Sequence, residues 1–135
     1  RRTACAAAVM NDAVAESLEL LAERVGDPKP MIYARLFERH PETEALFVMD
    51  KGGHVRGQML SMVFEALLDG GERLGGLVGI ERMNHMGYGV PDEAFDNFYA
   101  LVMETVRDAL GDAWTEAMEA GWRARLAALS AAAPA

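Results

Sequence analysis

The chain has 135 residues, with 21 acidic against 13 basic side chains, a formal net charge of -8 and a single cysteine, Cys5. A chain of this length folds as one domain that buries about 70% of its unfolded surface, and its acidic balance argues against nucleic acid or an anionic membrane as partner, since both need clustered Lys and Arg. One cysteine makes no intramolecular disulfide or thiolate metal site, and no apolar run approaches the ~18 residues that span a bilayer, so a cytoplasmic protein is expected.

Taken in chain order, the expected elements are all helical, with no alternating segment long enough for a strand. The domain is placed at residues 11–130, after an N-terminal extension at 1–10 and before a fraying tail at 131–135. Asp12 can cap a helix that carries Val14, Leu18, Leu21 and Val25 on one face and ends at Gly26. A second helix sets Ile32, Tyr33, Leu36 and Phe37 on one side and stops at His40, because Pro41 pushes the preceding residue out of helical geometry. A short helix from Pro41 reaches Leu46 and Phe47. A third long helix is expected from about Gly53 to Leu68, and the stretch after it is loosened by Gly70, Gly71, Gly75, Gly76 and Gly79. Two amphipathic helices close the chain as a hairpin joined at Gly111. One repeats Phe95, Phe98, Val102, Val106 and Ala109, the other Trp114, Met118, Trp122 and Leu126.

Asn84 to Gly111 is the most informative segment. It sets a lone histidine, His85, in a helix-ending turn closed by Gly87 and Gly89, directly before a long amphipathic helix. There one ring nitrogen can reach a metal, while the other can donate to a carbonyl about one turn back, near Glu81. Val90 and Pro91 turn the chain, and Asp92 and Glu93 bring negative charge to the N-terminal turn of the next helix. A packed or solvated histidine is the plain alternative.

Three blocks together resemble the globins, most closely bacterial single-domain haemoglobins and the globin part of flavohaemoglobins. They are IYARLFERHPETEALF at Ile32 to Phe47, the His85 turn, and LGDAWTEAMEAGW at Leu110 to Trp122. The resemblance implies an all-α globin fold around haem b, with His85 as the proximal iron ligand, Phe47 packed on the haem face and Tyr33 on the distal side. Phe47, Phe98 and Val90 would exclude water, and the Tyr33 phenol would donate to a bound gas. An ordinary core tyrosine with its hydroxyl at the rim is the other reading.

The distal helix leaves its register open. One register faces Gly57, Leu60, Ser61, Phe64 and Leu67 inward, making Arg56 the distal residue and Leu60 its apolar neighbour. A register shifted by one faces Val55, Met59 and Val63 inward. A third offers His54 but also turns Gln58 and Glu65 toward the core, which is expensive. Hydrophobicity on both sides of this helix also suits a homodimer contact.

Two departures from the flavohaemoglobin pattern bear on function. The sequence carries no flavin or nicotinamide domain, so nitric-oxide turnover is expected to need a separate reductase. Phe95 stands where those relatives have a tyrosine near the proximal histidine, which weakens peroxidase-like chemistry. Met83 and Met86 flank His85, and gap-filling is preferred to iron coordination for both. The expected function is reversible binding of oxygen, nitric oxide or carbon monoxide. The alternative is a non-haem globin-like module that engages a partner protein.

Overall fold

The computed structural model describes residues 12–69, 81 and 92–131. Five long helices carry the described residues: α1 (Ala13–Val25), α2 (Lys29–Arg39), α3 (His54–Asp69), α4 (Asp92–Leu110) and α5 (Glu116–Ser130). Two 3-10 segments, Pro41–Phe47 and Gly111–Ala113, make the tight connections, and the described residues hold no strand.

The starts and stops follow local chemistry. The Asp12 carboxylate accepts from the Ala15 amide at 3.2 Å and caps α1. At the other end Gly26 takes φ +83°, a left-handed conformation that strains any residue with a Cβ. Helix α2 runs to Arg39, and His40 leaves helical geometry at φ −133°, ψ 71° ahead of Pro41. Thr115 caps α5 by accepting from the Met118 amide at 3.1 Å.

Helix α4 is the hub, packing against α1, α2 and α5, while α3 touches α1, α2 and α5. Its central position explains why burial spreads beyond one stripe, taking in Tyr99, Leu101, Val102, Met103, Val106 and Leu110. Trp122 of α5 is fully buried, and its indole N–H donates to Ser17 Oγ at 2.8 Å. The Ser17 hydroxyl in turn donates to the Val14 carbonyl at 2.7 Å, so both polar groups are satisfied inside the core. Across the α2–α4 seam, Arg35 pairs with Asp108 at 2.7 Å and Arg39 pairs with Glu104. Arg125 ties α5 to Asp12 at 2.9 Å and donates to the Leu67 carbonyl, and Arg24 reaches the Leu110 carbonyl at 3.0 Å, satisfying an acceptor at the end of α4.

Two local expectations are corrected. Val25, assigned to the inner face of the first helix, is exposed: it is the last residue of α1, next to the exposed Gly26 where the chain turns away. Helix α3 follows neither of the two apolar registers alone. Leu60 and Leu67 face inward from one and Val63 from the other, with Ala66 beside them, while Ser61 and Val55 are exposed. The candidate rows all fit helical spacing, so the mixed row is selected by the surfaces of α1, α2 and α5 against which α3 packs.

Candidate functional site

Four aromatic rings meet between α2, the first 3-10 segment and α4. Tyr33 and Phe37 lie one turn apart on α2, so both project toward the same neighbours. The Tyr33 ring packs edge-on against Phe47 with centroids 5.8 Å apart, and tilted against Phe98 at 5.8 Å and Phe37 at 6.0 Å. Phe37 and Phe47 are also 6.0 Å apart. These separations lie in the range that aromatic pairs favour. Tyr33 is buried, whereas Phe37, Phe47 and Phe98 are only partly covered and form an apolar wall against the core. Leu60, on the inner face of α3, is buried.

The Tyr33 hydroxyl donates to the backbone carbonyl of Arg56 at 2.9 Å. Burial holds this phenol well above its usual range; the Arg56 charge opposes that and the Asp50 charge adds to it, so the group is a neutral donor with one proton to give. Arg56 itself is gripped by Asp50. The Asp50 carboxylate accepts from the Arg56 amide at 3.0 Å and from its Nε at 3.1 Å, and the Asp50 carbonyl accepts from Nη2 at 2.8 Å. A further bond from the Val55 amide, 3.1 Å, means that one carboxylate satisfies two donors of the first turn of α3. The chain can fold back this way because Gly53 turns it with φ +76°. Burial pushes the Asp50 carboxyl upward. The backbone bonds from Arg56 and Val55 and the Arg56 guanidinium outweigh this and hold it down at about 2.

The sequence assignments therefore fall in three groups. Tyr33, Phe47 and Phe98 stand together, with Leu60 and Arg56 on the neighbouring helix. His54 is exposed on the opposite side of the first turn of α3, in an open groove of about 610 Å³ shared with Lys29, Gln58 and Glu65. His85 and Val90 lie outside the described residues, as do Met83 and Met86. Asp50 was not singled out from the sequence, although an aspartate four residues before a helix, across Lys51, Gly52 and Gly53, is a legible cap signal. No helix among the described residues is long and apolar enough to cross a membrane.

An aromatic wall on an all-helical frame has a family counterpart. The family model described as Globin matches residues 30–133, spanning α2 to the end of α5. The chain belongs to the globin family. No curated protein and no solved structure matches the chain. Globins in general hold haem between helices and bind diatomic gases on it, and the residues present here suit that group. Phe47 and Phe98 offer a half-covered apolar surface for a flat apolar ring. Of the three histidines, His40 Nδ1 lies 3.7 Å from Glu42, His54 is exposed, and His85 lies outside the described residues.

Proposed function

We propose that this globin binds haem b through His85 and reversibly binds oxygen, nitric oxide or carbon monoxide on the opposite side. The packing of Tyr33 against Phe47 and Phe98 carries the reading, because it gathers residues of three separate elements into one apolar wall. The His85 imidazole would hold the haem, whose iron would supply the binding chemistry for the gas. Phe47, Phe98 and Val90 would exclude water from the haem, with Leu60 as an apolar neighbour on the distal helix, slowing oxidation of the cofactor. Tyr33, kept neutral, would supply a proton for hydrogen bonding to a ligand that gathers negative charge.

The purified chain with added haem, reduced and exposed to carbon monoxide, should give the shifted Soret band of a haem protein with one histidine ligand. His85→Ala should lose that complex or make it depend on added imidazole, while His40→Ala and His54→Ala should keep it. Unchanged haem retention in the His85 variant would sink the assignment, and no uptake by the parent chain would favour a non-haem module. For nitric-oxide chemistry we place electron supply in a separate reductase. Nicotinamide cofactor alone should then leave the rate of nitric-oxide consumption unchanged.

A further inference from the structure

The segment from Phe47 to Arg56 closes on itself through hydrogen bonds that converge on one residue. The Asp50 amide donates to the Phe47 carbonyl at 2.9 Å, and the Asp50 carbonyl accepts from the Gly53 amide at 3.2 Å as well as from the Arg56 guanidinium. The Asp50 side chain, 7% exposed, takes the Val55 and Arg56 amides and Arg56 Nε. Two hydrogen-bond donors of this region, the Tyr33 phenol and the Arg56 guanidinium, are both engaged. The guanidinium of Arg56 is turned back to Asp50, and the Tyr33 phenol gives its only proton to the carbonyl of the very residue that Asp50 fixes.

We infer that Asp50 is a positioning residue that holds both donors away from the gas site, so that the Asp50–Arg56 latch sets how strongly a polar ligand is held. The inference rests on the haem-globin reading for its ligand. The latch itself is a property of the chain. When Asp50 keeps the Arg56 peptide in place, a ligand must compete with that carbonyl for the Tyr33 proton. When Asp50 lets go, the first turn of α3 relaxes, the carbonyl recedes, and Tyr33 and the guanidinium become available. Because the carboxyl is held at about 2, the latch stays charged at every physiological pH and is set by sequence, not by proton concentration.

Asp50→Asn is the informative change. Asparagine keeps one strong acceptor for the helix start but cannot take both amides and the guanidinium. In the haem-loaded chain it should slow oxygen dissociation about threefold, the share of one neutral hydrogen bond, and lower the C–O stretching frequency of the carbon monoxide complex. Asp50→Ser, which also caps a helix, should do the same and serves if the asparagine variant folds poorly. A purely structural Asp50 would reduce stability and leave the C–O stretch at its parent value, and that result would overturn the inference. Thermal unfolding of the full chain in a double-mutant cycle of Asp50→Asn with Tyr33→Phe gives a readout that needs no gas. Non-additive effects support the latch, and additive ones overturn it. If the parent chain takes up no haem, the proposed function fails, and this cycle alone decides the latch.

Discussion

Replacing Tyr33 with phenylalanine separates the two uses of one proton. In the folded chain the phenol donates to the Arg56 carbonyl at 2.9 Å, a neutral hydrogen bond contributing about 0.5–1.5 kcal/mol, whereas a bond to a charged acceptor contributes about 1.5–3 kcal/mol. A gas that takes on negative charge when bound, as oxygen does, therefore gains only the difference, about 1 kcal/mol, when the phenol turns toward it. Stopped-flow displacement of oxygen by carbon monoxide should show dissociation about fivefold faster in Tyr33→Phe, since 1.4 kcal/mol corresponds to a factor of ten. Carbon monoxide gathers little charge and gains nothing over the carbonyl, so its own dissociation rate should stay within about twofold. The same substitution should lower stability by about 1 kcal/mol, because Tyr33 is only 3% exposed and its partner carbonyl loses a buried donor. Equal oxygen dissociation rates with reduced stability would mean that the phenol never leaves Arg56, and would refute its role toward the gas.

Ser17→Ala should destabilise the chain by about 1–3 kcal/mol, since it strands the fully buried Trp122 indole N–H; chemical denaturation showing less than about 0.5 kcal/mol would mean that the indole finds another acceptor. The pH dependence of Asp50 has a definite sign. Its folded carboxyl is held at about 2 against an ordinary 3.8, so its stabilising bonds are fully present above the ordinary value and are lost as pH falls through the folded one. The stability gap between the parent and Asp50→Asn should therefore be constant from neutral pH down to about pH 5 and should close between about pH 4 and pH 2. A gap that closes near neutrality would contradict the charged latch.

The helical frame was legible because its signals are local. Asp12, Gly26 and Pro41 act within a few residues of themselves, and each does what its chemistry implies. The Globin match to residues 30–133 agrees with the family resemblance carried by the same blocks. The register of α3 was not legible, because both of its faces are apolar and the decision belongs to neighbours far along the chain. Leu60, Val63 and Leu67 are chosen by the surfaces of α1, α2 and α5, which no window of sequence around them contains.

Arg56 shows the same division at the site itself. Sequence could place it near the distal side by register, and its backbone does lie against Tyr33. What its guanidinium does is decided by Asp50, six positions earlier, across a left-handed turn at Gly53. A partly buried cation costs free energy unless it is paired, and the pairing available at the start of α3 draws it back to the carboxylate that also completes the helix end. The capping requirement and the charge requirement thus select the same residue. On the proposed haem reading, the polarity around a gas on this side would be determined less by which donors the chain carries than by which acceptors already hold them.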